Sequence, residues 1–335
     1  IHIIKKNCNT FQAVLYYRLS KEAGCLGRTF RFLTQRSIRI TMQKKLLLIV
    51  NPRSGKTQSS APLFDAVTIL SQAGYLLSVR TTSGPGDATA MAAEEGHLYD
   101  VVACSGGDGT LNETITGLMQ LEKRPLLGYL PRGSTNDFAA SLGISSQPAK
   151  AAAAIACGRQ QMLDIGRWNE RCFAYVASFG AFTKSSYSAS QSAKNALGHF
   201  AYILEGMKDL NTLRPYRARV CADGEVFDGD FLFGAVCNST SIGGLMKLDP
   251  EHVVLDDGKF ELLLVPNPTT PLELQNVLLA LLAQKYAQGG LIFRHVSQVT
   301  VETKEELPWS LDGEYAPSMP RVTIENQSRA LTLLL

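Results

Sequence analysis

The chain has 335 residues, 45% hydrophobic and 19% charged, a globular composition long enough for two domains that each bury a core, so overall disorder is excluded. Its formal charge of +3 hides an asymmetry: residues 1–41 carry eight Lys/Arg and one acidic residue, leaving 25 Lys/Arg against 29 Asp/Glu from Met42 onward. That mildly acidic body argues against a general nucleic-acid binder, which needs a basic folded surface.

No apolar run reaches the roughly 18 residues that cross a bilayer, and the stretch from Val277 to Ala283 suits a buried helix. Cysteines at 8, 25, 104, 157, 172, 221 and 237 show no CxxC or ligand-like spacing, so a disulfide framework and a zinc site are not indicated and a cytoplasmic setting is expected. Residues 1–41 mix Arg, aromatics and Cys without a sustained period. They are read as a leader outside the fold, a translated upstream stretch before a start at Met42; the competing reading is an Arg-rich, acid-poor presequence.

In chain order, Leu46 to Val50 is wholly apolar, the mark of a strand buried on both faces of a parallel sheet. It runs into Asn51-Pro52-Arg53-Ser54-Gly55-Lys56, a polar loop without P-loop spacing. A helical pattern from Leu63 to Ala73 follows, then a strand from Leu76 to Arg80, a loop through Thr82 and a helix over 88–95. Tyr99 to Cys104 and Leu126 to Leu130 read as further strands, and the βαβα rhythm implies a doubly wound parallel sheet with ligands beyond the strands' carboxyl ends.

Two loops at that edge carry chemistry. In Ser105-Gly106-Gly107-Asp108-Gly109-Thr110-Leu111-Asn112-Glu113 the glycines let backbone N–H groups approach an anion, and the following helix adds its positive end. A carboxylate at Asp108, beside phosphates, calls for a divalent cation between them, so the loop predicts nucleotide plus magnesium. Pro131-Arg132-Gly133-Ser134-Thr135-Asn136-Asp137 adds hydroxyls and a second carboxylate, and Asp164 is a candidate third. Each loop alone also admits the plainer reading of a strand-to-helix turn with a capping Asp.

After Gly166 the pattern becomes antiparallel β, in segments 172–178, 216–220, 225–236, 260–265 and 298–302, with helices expected near 194–210 and 271–285 and two last strand-like segments over 322–335. This reads as a sandwich-like second domain packed on the first around a cleft. Leu255-Asp256-Asp257-Gly258-Lys259 is either an Asp-Gly turn or a hard-cation site. Ser310-Leu311-Asp312-Gly313-Glu314 is either a hairpin turn or a pair of carboxylates for proton transfer and metal binding.

In this order the five motifs resemble the soluble diacylglycerol kinase family of lipid kinases, over residues 42–335. The resemblance implies an α/β nucleotide-binding domain (42–164) and a β-rich lipid-substrate domain (165–321), with 322–335 able to return to the first. It implies ATP contacts from Asn51, Pro52, Arg53, Ser54, Gly55, Thr82, Gly107, Asp108, Gly109, Thr110, Leu111, Asn112, Glu113 and Ser134. It further implies a magnesium network at Asp108, Asp137 and Asp164, and a structural magnesium held by Asp257 with the carbonyls of Val254 and Lys259. Asp312 would be the general base, assisted by Glu314, and Asp108 would act at the phosphates. One departure is Arg132, standing before Gly133-Ser134 where the family usually shows an apolar residue and Gly-Thr.

The implied activity is ATP- and Mg²⁺-dependent phosphorylation of a lipid hydroxyl, diacylglycerol first, by a cytoplasmic protein that meets the membrane peripherally. A homodimer is compatible with this. Sphingosine, ceramide, undecaprenol-like alcohols, an NAD-kinase-like acceptor and a non-catalytic nucleotide sensor are the alternatives.

Overall fold

The apolar run that opens the body forms β1 (Lys45–Val50), and the βα rhythm continues through α1 (Ala61–Gln72), β2 (Leu76–Thr81), α2 (Asp87–Glu95) and β3 (Val101–Gly106). It is completed by α3 (Asp108–Leu118), β4 (Leu126–Pro131), α4 (Asp137–Ser141) and α5 (Pro148–Cys157). The computed structural model describes residues 43–55, 61–133, 136–180, 214–242, 246–248, 253–286 and 288–335. The leader, Lys56, Ser134 and the helix expected near 194–210 lie outside the described residues.

Strands run in the order β2-β1-β3-β4, all parallel. Alternate side chains decide which helix covers which face. Leu46, Leu48, Val101 and Ala103 meet Ala66, Leu70, Ala151 and Ile155 of α1 and α5. On the opposite face Leu47, Ile49, Val102 and Cys104 meet α2 and α3 through Ala88, Ala92, Leu111 and Ile115. Helices on both faces make this half doubly wound, as the sequence implied. Its parallel register also sets the strand ends side by side, with Val50 opposite Ser105 and Gly106 opposite Pro131.

The remaining chain forms β5 (Gln160–Trp168), β6 (Arg171–Phe173), β7 (Val176–Gly180), β8 (Tyr216–Ala222), β9 (Glu225–Cys237), β10 (Ser241–Ile242) and β11 (Met246–Lys247). There follow β12 (Phe260–Pro266), α6 (Pro271–Leu282), β13 (Ile292–Val296), β14 (Gln298–Glu302), β15 (Trp309–Leu311), β16 (Glu314–Ala316) and β17 (Arg321–Leu334). Neighbours along β16-β15-β7-β9-β8-β14-β17 pair antiparallel. An aromatic core fills this half: Trp309 lies 5.0 Å from Phe179 and 5.9 Å from Trp168, centroid to centroid, and Phe173 lies 5.7 Å from Phe260.

The two strand-like segments expected over 322–335 are a single strand. β17 pairs with β14 through Arg321–Glu325, then bulges between Gln327 and Leu331, where Arg329 has φ +50°, and ends beside β5 and β4. The C-terminal strand therefore runs through both halves.

Close helix packing at α2 and α3 depends on Gly117. A methyl group there would lie 2.4 Å from Thr89 O and 2.7 Å from Ala92 Cβ. Gly117→Ala gains about 1 kcal/mol of helix propensity and meets an overpacking cost of about 1–3 kcal/mol or more. The expected outcome is a lower urea midpoint at unchanged slope; an unchanged or higher midpoint would contradict the packing described.

Candidate active site

The glycine-rich loop is shaped by contacts that admit no side chain. A Cβ on Gly106 would lie 2.4 Å from Thr110 Oγ1, and one on Gly133 would lie 2.6 Å from Gly107 Cα, so two cleft loops touch backbone to backbone. Around them a net of hydrogen bonds fixes the polar side chains. Asn51 Nδ2 donates to Thr110 Oγ1 at 3.1 Å, while Asn51 Oδ1 accepts from Arg53 N at 2.9 Å. Asn136, in the left-handed region at φ +53°, accepts from Gly133 N at 2.8 Å and donates to Gly133 O at 3.0 Å. The Asp108 carboxylate accepts from Asp137 N at 3.0 Å and from the Tyr129 hydroxyl at 3.5 Å.

From the other half comes the hairpin β15–β16, turning on Asp312 (φ +50°) and Gly313 (φ +86°), the two positive values of a type I′ turn. Its first residue is buried and saturated. Asp312 Oδ1 accepts from Tyr175 N (2.9 Å) and Val176 N (3.0 Å); Oδ2 accepts from Ala174 N (2.6 Å) and Asn112 Nδ2 (2.6 Å). Four donors occupy the roughly four acceptor positions of a carboxylate. Two residues on, Glu314 is exposed, and a Cβ on Gly109 would lie 2.8 Å from its Oε1. Glu314 thus lies against the glycine loop. It lines, with Asn51, Arg53, Ser54, Thr82, Ser83, Gly84, Pro85, Gly107, Gly109, Thr110 and Glu113, a cavity of about 370 Å³.

Negative charge accumulates behind this cavity. Burial pushes the Asp108 carboxyl up to about 6, opposed by its backbone hydrogen bond from Asp137 and reinforced by the charges of Asp137 and Asp312. Asp312 is also raised by burial, against the pull of its N–H donors. Burial first, then these carboxylates, raises the Tyr175 phenol well above its ordinary value. A divalent cation at Asp108 would relieve this excess, and the donor set suits a hard cation.

The predicted residues divide. Asn51, Arg53, Ser54, Thr82, Gly107, Gly109, Thr110, Glu113 and Glu314 gather at the cavity, Asp108 sits half-buried between two of its lining glycines, and Leu111 turns into the core. Pro52 occupies the turn of the first loop. Asn112 is spent on Asp312 and on Cys172 O (3.3 Å). The Glu113 carboxylate accepts from Gly86 N (2.9 Å) and Ala88 N (3.2 Å), holding the start of α2 and with it the 82–85 loop.

Asp164 does not join Asp108 and Asp137 in any contact of the described residues. Fully buried, it accepts from Gly258 N (2.7 Å), Arg329 N (2.7 Å) and Asn326 Nδ2 (3.2 Å), satisfying the β17 bulge and the 256–258 turn. Among the described residues no group of three or more His, Cys, Asp or Glu is placed to hold a metal directly; of the three carboxylates expected in a water-linked network, Asp108 and Asp137 lie within one another's fields. At the second site Asp257 Oδ1 accepts from Lys259 N (2.9 Å) and Val254 is exposed. Sequence reasoning missed the Tyr129 hydroxyl, Ser83 to Pro85 and the Ala174–Val176 amides. Only Ser83-Gly84-Pro85, a turn-rich stretch following Thr82, carried a signal that could have found it.

Comparison with known proteins agrees with this geometry. Residues 45–168 match the diacylglycerol kinase catalytic domain, and residues 177–335 match the YegS C-terminal NAD kinase beta sandwich-like domain. The chain is 35% identical to a diacylglycerol kinase of Bacillus subtilis (strain 168) over 280 residues, 83% of this chain and 92% of that one. It is 35% identical to one of Staphylococcus aureus (strain bovine RF122 / ET3-1) over 281 residues, 83% and 89% of the two chains. A solved diacylglycerol kinase structure from Bacillus anthracis str. Sterne superposes with TM-score 0.71 at 26% identity, covering 87% of this chain and 96% of that one. The fold and site define a two-domain kinase. The chain belongs to the diacylglycerol kinase family and is a lipid kinase.

Asp108 also carries a stability signature. Its carboxyl ionises at the ordinary 3.8 when unfolded and at about 6 when folded. Between those values the folded state holds more protons, so its stability falls as pH rises through that window, and the penalty is complete above it. In EDTA, Asp108→Asn should therefore stabilise by about 1–3 kcal/mol at pH 7 and leave stability near pH 3 unchanged. Urea unfolding at the two pH values checks this; destabilisation at pH 7 would contradict it.

Proposed function

We propose that the protein transfers the γ-phosphoryl group of ATP to the free hydroxyl of a lipid alcohol, diacylglycerol foremost, yielding phosphatidic acid. The observation carrying the proposal is that the glycine loop, through Gly107, Gly109 and Thr110, and Glu314, from the other half of the chain, line one cavity. Asn51, Arg53, Ser54, Thr82, Gly107 and Thr110 would hold the nucleotide, with N–H groups of the glycine loop toward its phosphates. Asp108 and Asp137 fit magnesium, which supplies charge neutralisation across the phosphates when bound.

Glu314 is the carboxylate placed to take the hydroxyl proton, because it opens to the cavity. Asp312 has no acceptor position left and acts by positioning: it fixes the turn that presents Glu314 and, through Asn112, ties that turn to α3. This reading differs from the one the family resemblance implies, in which Asp312 is the general base and Glu314 assists.

A structural magnesium at Asp257 with the carbonyls of Val254 and Lys259 belongs to the same proposal. Burial first and then the charge of Asp257 push the Glu261 carboxyl up to about 8, a local negative excess that a cation would offset. The division at 42–164 and 165–321, with β17 returning to the first domain, is proposed likewise; its pairing with β4 supports it. No described helix is long and apolar enough to cross a membrane, so we take the lipid to be reached by peripheral docking.

The test is a radiolabelled-ATP assay on mixed micelles of diacylglycerol, sphingosine, ceramide or undecaprenol, with NAD as the soluble acceptor. The expected result is labelled phosphatidic acid formed from diacylglycerol, abolished by EDTA. Glu314→Gln should lower kcat by about 10²–10⁴-fold with little change in KM for ATP. Label in NAD alone, or near-normal turnover by Glu314→Gln, would overturn the proposal.

A further inference from the structure

Arg132 stands at the end of β4, where its N donates to Gly106 O at 2.7 Å and the next residue touches Gly107. Its side chain crosses to the first cleft loop. A methyl group on Gly55 would lie 3.9 Å from both Nε and Nη2 of the guanidinium and 3.1 Å from the Arg132 carbonyl. Gly55 has φ +97° and directly follows Arg53 and Ser54, which line the cavity. The guanidinium is therefore laid across the junction of two cleft loops, at the cavity's edge.

That cation has no assigned partner. Five arginines, at 80, 167, 217, 294 and 321, pair with carboxylates, and those at 124, 171 and 329 donate to backbone carbonyls. Among the described residues the half-buried Arg132 guanidinium forms neither ion pair nor hydrogen bond. A rigid fork of N–H donors left unpaired beside a polyphosphate-sized cavity matches phosphate oxygens, which it can bind bidentately. Electrostatics favours this as well. Asp108, Asp137 and Asp312 concentrate negative charge at the loop, so an incoming polyphosphate needs positive charge nearby, and Arg53 lines the cavity while Arg132 lies against Gly55 of the same loop as Arg53.

We infer that Arg132 binds the polyphosphate of the nucleotide and sets the preference for a triphosphate over the bare nucleoside. This rests on the ATP-dependent reading above and assigns a residue to its phosphate subsite. Arg53 provides an exposed charge, whereas the half-buried Arg132 springs from a backbone held by its hydrogen bond to Gly106 and by the Gly107–Gly133 contact.

The test is calorimetric titration of the full chain, in magnesium, with a non-hydrolysable ATP analogue and with adenosine, for wild type, Arg132→Gln and Arg132→Lys. Arg132→Gln should lose about 5–20-fold in affinity for the triphosphate, less than twofold for adenosine, and should show a shallower salt dependence. Arg132→Lys should recover part of the loss, restoring charge without the fork. Thermal midpoints report folding. Equal losses for triphosphate and adenosine would mean that Arg132 only shapes the loop at Gly55, overturning the inference. A loss below twofold, with wild type still binding the triphosphate, would overturn this inference alone. Wild type that binds no triphosphate would overturn it together with the kinase reading.

Discussion

The site depends on one buried carboxylate. Asp312 collects Asn112 from α3 and three consecutive amides, Ala174 to Val176, so one side chain ties the helix that follows the glycine loop in the first half to the entry of β7 in the second. Without it four donors would be left inside the protein, each costing roughly 1–3 kcal/mol if unsatisfied. The link also has a geometric consequence. Because Asp312 is locked at the first position of a two-residue turn, Glu314 is brought against Gly109, and that glycine leaves room for it. Phe138 stacked on Tyr175 at 6.1 Å and the Ser141–Ser239 hydroxyl contact at 2.6 Å reinforce the same junction.

The junction also carries an electrostatic cost. Asp108, Asp137 and Asp312 are brought into one another's fields in a partly desolvated space, and the raised carboxyl of Asp108 records it. A protein selected for stability alone would replace one of them. Retaining all three is understandable where a cation and an anionic ligand complete the charge balance during the working cycle. The backbone N–H groups of Asp137 and Phe138, directed at Asp108, limit the penalty without removing it.

Much of this was legible from the chain because it is local. Apolar runs at 46–50 and 101–104 are strands since parallel strands are buried on both faces, and Asp312-Gly313 turns because Asp-Gly tolerates two positive φ values. What stayed hidden depends on distant partners. Asp164 reads as one more loop acid until Gly258, Asn326 and Arg329, 94 to 165 residues away, take up its oxygens. Glu113 reads as a phosphate-loop residue until its carboxylate is found at the start of α2. The bulge at 327–331 interrupts the apolar pattern of β17 with Gln, Ser and Arg, so the sequence reads there as two segments. β5 carries no strand reading in the sequence, because Gln160-Gln161-Met162 lack the apolar alternation of the other strands.

The central claim is that carboxylates from the two halves meet on one nucleotide at the glycine loop. A crystal structure with Mn²⁺ and a non-hydrolysable ATP analogue tests it most directly, since the anomalous signal locates the metal independently of the protein. The account predicts a peak within coordinating distance of Asp108 and of the outer phosphates, with Glu314 facing the terminal phosphorus. Nucleotide bound away from the cavity, or metal peaks confined to the 254–259 segment, would contradict it.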